Sequence, residues 1–170
     1  MNPELEELYQ EVILDHSRRP RNFGTLADAA VCVHGDNPSC GDEIDLGVKF
    51  GADGSLQEIK FSGQGCAISQ ASASLMTMKL KGKSRTAAEE MLHAFHGLVA
   101  GESDDAAPSL GDLRLLRGVR KFPQRVKCAM LAWRALEEAL RQNAGQATVS
   151  TESDFVRPIP DGTTRPGPGL

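Results

Sequence analysis

Three cysteines stand where a thiolate, rather than a packed thiol, is expected. Cys40 lies in Asn37-Pro38-Ser39-Cys40-Gly41-Asp42, Cys66 in Gly63-Gln64-Gly65-Cys66, and Cys128 in Arg125-Val126-Lys127-Cys128. The first occupies a Pro/Gly loop and brings the Asp42 carboxylate two residues on. Residues i and i+2 of an extended segment project to one side, so both can reach one point. The second follows a Gly-x-Gly turn and the third stands where a helix is predicted to begin. Unpaired N–H groups and the helix dipole at such a first turn stabilise a negative sulfur. Arg125 and Lys127 add positive charge beside Cys128. Three soft sulfur ligands and one hard oxygen ligand fit a tetrahedral zinc or iron site.

The competing reading is that a buried free cysteine is common and usually structural. It applies most strongly to Cys32, which lies in Val31-Cys32-Val33 within a predicted strand and reads as a small core residue. His16, His34, His93 and His96 have no motif around them, and His93 and His96 read as helix surface. Met76 and Met78 read as core filler. The cluster Arg18-Arg19-Pro20-Arg21 fits a solvated turn or a docking surface.

The elements that must position these residues follow from periodicity. Leu5, Leu8, Tyr9, Val12, Ile13 and His16 recur at helical spacing and end before Pro20, because a proline disfavours helix in the residue before it. Three strand-like runs follow, Ala30–His34, Ile44–Phe50 and Leu56–Ser62, the last two linked as a hairpin by Gly51-Ala52-Asp53-Gly54. The Asn37–Asp42 loop lies between the first two, which places Cys40 at an edge or end of the sheet. Helices are predicted from Ala67 to about Lys81, rich in small residues that permit close packing, and from Thr86 to Val99 with Ser84 as N-cap. A polar linker spans Gly101–Pro108, a short helix Leu110–Leu116, and a long helix Gln124 to Gln142. The order is helix, antiparallel strands, then helices, an α+β arrangement with a small three-stranded sheet. Residues 1–143 form the predicted domain. Residues 144–170, rich in proline toward the end, read as a disordered tail.

At 170 residues the chain fits one domain with its own core. A net charge of −4 gives no electrostatic case for a nucleic-acid partner. No apolar run approaches the ~18 residues that cross a bilayer, and the start, Met1-Asn2-Pro3-Glu4, is acidic rather than signal-like. The expectation is a cytoplasmic protein without a membrane partner. Its 4 cysteines should then be reduced, which favours metal or thiol chemistry over disulfides. There is no Cys-x-x-Cys pair, so neither a thioredoxin-type centre nor a zinc ribbon is signalled.

At these residues the chain resembles the iron–sulfur assembly family of IscU, NifU N-terminal domains and SufU. The matching stretches are Leu8-Tyr9-Gln10-Glu11-Val12-Ile13-Leu14-Asp15-His16 with Pro20-Arg21-Asn22, then Asn37 to Asp42, Phe61 to Ser69, Ala71 to Thr77, and Arg125 to Trp133. Together they span about Leu5 to Leu140, in order. Two departures from the IscU pattern point within the family to SufU. Lys127 stands where scaffold-type members carry histidine, and the Cys66–Cys128 interval is longer, with extra sequence around Gly97–Arg117. The Leu-Pro-Pro-Val-Lys sequence read by the IscU system's chaperone is also absent, with Phe122-Pro123-Gln124-Arg125 in its place.

The resemblance implies a zinc-dependent sulfurtransferase working with a SufS-type cysteine desulfurase and passing sulfur toward a downstream Fe–S assembly scaffold. Cys40, Asp42, Cys66 and Cys128 would hold Zn2+. A partner histidine would displace Cys40, which would accept the persulfide sulfur, with Arg125 as a supporting or partner-orienting residue. Two rivals remain: a scaffold on which a [2Fe–2S] cluster is assembled and transferred, which the cysteines fit equally well, and a structural zinc in an interaction module.

Overall fold

The computed structural model describes residues 3–102, 108–142 and 144–151. Helix α1 (Pro3–Arg18) is followed by strands β1 (Val31–Asn37), β2 (Asp42–Phe50) and β3 (Leu56–Gln64). Helices α2 (Ala67–Leu80) and α3 (Arg85–Ala100) come next, then 3-10 turns over Pro108–Lys121, helix α4 (Pro123–Gln142) and strand β4 (Gly145–Ser150). The fold is α+β. No helix among the described residues is long and apolar enough to cross a membrane.

The sheet has four strands rather than three, in the order β3-β2-β1-β4. β1 pairs antiparallel with β2 and β2 with β3, while β4 adds to β1 in parallel. Residues 145–150 were expected in the tail. They carry one Thr-Val pair and little else that signals a strand, and the unpaired edge of β1 supplies the hydrogen-bond template that orders them. The rest of the expected tail, 152–170, lies outside the described residues, as does most of the expected 101–108 linker.

Helices cover one face of the sheet, so the strands alternate. In β1, Val31, Val33 and Asn37 point inward, while Cys32 is exposed. The expectation that Cys32 belongs to the core is therefore wrong. With two valines claiming the inner face, strand parity sends the residue between them to solvent.

Helix α2 is the hub. Ser69 and every residue from Ala71 to Thr77 are buried, because the helix packs on α1, α4 and β3 together. Its small residues permit that approach, and its serines are satisfied. Ser72 Oγ donates to the Ala129 carbonyl at 2.6 Å and accepts from Trp133 Nε1 at 3.1 Å. Trp133 in turn stacks on Phe95, with ring centroids 4.7 Å apart. Met76 is buried as expected, but Met78, on the outer side of the same helix, is 51% exposed.

Caps set the helix ends. Ser84 Oγ accepts from Ala87 N at 3.1 Å, as the sequence suggested. Helix α4 begins one residue before the expected start, with Pro123 in its first turn, where a missing N–H costs nothing. The expected helix at Leu110–Leu116 is a longer run of 3-10 turns, broken at Gly111 (φ 54°). Leu110, Leu113, Leu116 and Val119 recur every third residue and are all buried. That spacing makes a single apolar stripe at three residues per turn, which the 3-10 form aligns and the α-helix would fan out.

Candidate metal centre

β1 and β2 meet in a short hairpin whose loop, residues 38–41, carries Cys40 at its exposed tip. The turn is held by the Asn37 carbonyl, which accepts from the N–H groups of Cys40 (3.2 Å) and Gly41 (2.9 Å). Gly41 takes φ 72° there, a conformation that a residue with a Cβ adopts at a cost. Asp42, cross-strand from Asn37, opens β2 and points into the protein, with 1% of its surface exposed.

Cys40, Asp42 and Cys128 place ligand atoms within 4.8 Å of one another. The Cys40 and Cys128 sulfurs are 3.4 Å apart. Two thiolates on one zinc at about 2.3 Å in tetrahedral geometry lie roughly 3.8 Å apart, so small side-chain rotations fit the pair to such an ion. Among the described residues these three form the only such group, and none of the four histidines belongs to it. His16 is buried and hydrogen-bonds Ser74 Oγ at 2.7 Å, while His34 sits on Asp45 at 2.8 Å on the outer face of the sheet.

Cys66 borders the group. It is the N-cap of α2, and its backbone N–H donates to Asp42 Oδ1 at 2.9 Å. Its sulfur takes the cap position usually held by an oxygen, accepting from Ser69 N at 3.5 Å. The approach depends on the preceding Gly-x-Gly. A Cβ on Gly65 would stand 2.7 Å from Asp42 Oδ1, and one on Gly63 (φ 136°) would collide with the Glu43 carbonyl.

Cys128 differs from its expected setting. Because α4 starts at Pro123, Cys128 falls in the second turn, fully buried, with its thiol donating to the Gln124 carbonyl at 3.6 Å. Burial, reinforced by the hydrogen bond to Cys40 and by the negative charge of Cys66 and Asp42, pushes its pKa well above the ordinary thiol range. No helix terminus lowers it. A buried sulfur of this kind becomes a thiolate only when a cation takes the proton's place. The exposed Arg125 is a positive charge that interacts with these sulfurs. Its own pKa is raised by the fields of Cys66 and Cys128 and by a hydrogen bond to Cys128.

Asn37 and Thr151 are the site residues that sequence reasoning did not single out. Asn37 is completely buried and gives Nδ2 hydrogens to Asp42 Oδ2 (3.0 Å) and to Cys128 Sγ (3.5 Å), while its Oδ1 accepts from Thr151 Oγ1 at 2.9 Å. Asn37 was legible as the residue opening the loop motif. Thr151 carried no local signal.

Residues 8–129 match the NifU-like N terminal domain. The chain is 45% identical over 144 residues to the zinc-dependent sulfurtransferase SufU of Bacillus subtilis (strain 168), covering 85% of this chain and 97% of that one. It is 46% identical over 140 residues to the iron–sulfur cluster assembly scaffold protein IscU of Streptococcus pyogenes serotype M1, covering 82% and 87%. The crystal structure of a candidate SUF-system scaffold protein from Fervidobacterium islandicum AW-1 superposes with a TM-score of 0.73 at 37% identity, over 79% of this chain and 98% of that one. The thiol and carboxylate cluster thus sits in a fold shared with proteins of iron–sulfur cluster assembly, and the chain belongs to the NifU-like N-terminal domain family that includes IscU and SufU.

Proposed function

We propose that this protein is a zinc-dependent sulfurtransferase of iron–sulfur cluster biogenesis, acting in the cytoplasm with a SufS-type cysteine desulfurase. Cys40, Asp42, Cys66 and Cys128 would hold the zinc, Cys66 after its side chain turns from Ser69 toward Asp42. A bound zinc keeps its thiols deprotonated and exchanges ligands without redox change. The observation that carries the reading is the asymmetry of the cluster. Cys128 and Asp42 are buried and anchored, whereas Cys40 is exposed on a hairpin tip.

Such a Cys40 can leave the cluster while the others stay. Its thiolate attacks the terminal sulfur of the partner's persulfide. A new S–S bond forms at Cys40, the partner's S–S bond breaks, and the partner cysteine departs as thiolate. Arg125, exposed beside the sulfurs, would hold the negative charge of the incoming persulfide. The sulfur then goes on to a downstream assembly scaffold. Support for the transferase over the scaffold comes from Lys127 in the position before the third cysteine and from the similarity to the B. subtilis protein.

The second reading is a scaffold on which an Fe–S cluster forms. The S. pyogenes relative, equally similar, is named as one, and the same thiolates suit a cluster. The test is metal and acid-labile sulfide content of protein purified without oxygen, before and after incubation with desulfurase, cysteine and iron. One zinc per chain that persists, without sulfide and with faster desulfurase turnover, is the expected result. Zinc lost and iron and sulfide gained in equal amounts would establish the scaffold.

A further inference from the structure

We propose that Thr151 is a positioning residue of the metal centre, acting through the Asn37 side chain. The inference rests on the metal reading above and adds an element to it, because Thr151 and β4 lie beyond the stretch that matches the family, 8–129.

The Asn37 amide has three tasks and is completely buried. Its nitrogen donates to the Asp42 carboxylate and to the Cys128 sulfur, and its oxygen is met by the Thr151 hydroxyl. The amide works in one orientation only, since a half-turn would set its oxygen against the Asp42 carboxylate. Thr151 completes that orientation by satisfying the oxygen, which would otherwise be a buried acceptor left without a partner.

The place of Thr151 is fixed by backbone. β4 runs parallel to β1 with Asp36 opposite Ser150, and Thr151 N donates to the Asp36 carbonyl at 3.0 Å. The hydroxyl is therefore delivered to Asn37 by the register of an edge strand, and Thr151 itself is buried. Through one amide the strand reaches both a carboxylate and a sulfur of the ligand group. Partners of this kind orient ligands, and losing one weakens metal binding about tenfold or more.

The experiment uses the full chain, with zinc affinity read by chelator competition and cobalt loading read by its sulfur-to-metal absorption band. Thr151→Val should weaken zinc about tenfold and shift the cobalt band. Thr151→Ser, which keeps the hydroxyl, should match the parent in both, as should Thr148→Val on the exposed side of the same strand. Thr151→Ala against Thr151→Ser gives the same contrast should the valine variant not fold. A valine variant with unchanged affinity and unchanged spectrum overturns the proposal. So does a serine variant as impaired as valine, which would assign the effect to packing of the methyl group. A parent chain that takes up neither zinc nor cobalt overturns instead the metal reading on which the proposal stands.

Discussion

The hairpin of β1 and β2 carries two sets of polar groups of nearly the same kind, one at its tip and one on its outer face. On the face, Cys32, His34 and Asp45 line a shallow depression of about 340 Å³ beside Gln146 and Thr148 of β4. The His34 ring nitrogen touches Asp45 at 2.8 Å. At the tip, Cys40 and Asp42 meet Cys128, with Cys66 and Asn37 alongside. The first set comes from neighbouring strands and stands in water, which satisfies each group separately and screens its charge. The second gathers residues from the β1–β2 hairpin, the start of α2 and the second turn of α4. Asp42, Asn37 and Cys128 are all buried there, so they must be satisfied by protein groups brought to them, among them the Cys66 N–H and the Thr151 hydroxyl, or by an ion. Residue type is shared between the two regions; desolvation and convergence are not.

The sharpest way to break this contrast is to remove one cysteine from each region. Cys40→Ala should reduce persulfide acceptance, followed by mass spectrometry of the chain after incubation with a desulfurase and cysteine, to background. Cys32→Ala should leave it unchanged, and sulfur found on Cys32 would sink the assignment of acceptor. The carboxylates give the next largest effect. Supporting partners alone are worth about 10–100-fold in metal affinity, so Asp42→Ala should cost more than about 100-fold in a chelator competition. Asp45→Ala should cost nothing measurable in the same assay.

Packing around the two regions differs in the same sense. Gly65→Ala would press a methyl group to 2.7 Å from Asp42 Oδ1, and overpacking of this kind costs about 1–3 kcal/mol. Equilibrium denaturation of the metal-free chain should show that loss. A change at exposed Cys32 should stay within about 0.5 kcal/mol.

The smallest contrast is between two histidines. Burial lowers the His16 pKa, aided by the positive charge of Arg21, so the fold favours the neutral ring more than the unfolded chain does. That contribution is present above the ordinary histidine value of about 6.5 and is lost as pH falls through the lower folded value. The melting temperature should therefore decline as pH drops below 6.5, and His16→Gln, neutral throughout, should flatten the decline. His34→Gln should change the melting temperature at neutral pH little, since an exposed pair contributes only about 0–1 kcal/mol.

Much of the architecture was legible because it is written in short-range pattern. The Ser84 cap, the hairpin at Gly51–Gly54 and the small-residue helix beginning at Ala67 depend on residues a few positions apart. The short helix expected at Leu110–Leu116 is part of a longer 3-10 run, Pro108–Lys121, whose form and length were not legible because a three-residue spacing also satisfies one side of the α-helical period. Cys32 was misplaced because its strand was recognised without its parity, although Val31 and Val33 on either side held that information.

The sequence by itself determined which residues have the chemistry, three thiols in turn or helix-start contexts and one carboxylate beside the first. It also determined the order of elements that carries them. Only the tertiary structure decided that Cys128 is buried in the second turn of α4, so that its sulfur is disfavoured as an anion without a cation nearby. Only it decided that Asn37 ties Asp42 to Cys128, and that a fourth strand brings Thr151 to Asn37 across more than a hundred residues of chain. Side-chain identity and local spacing are properties of the chain in water. Burial and long-range hydrogen bonding exist only once distant segments exclude that water from one place.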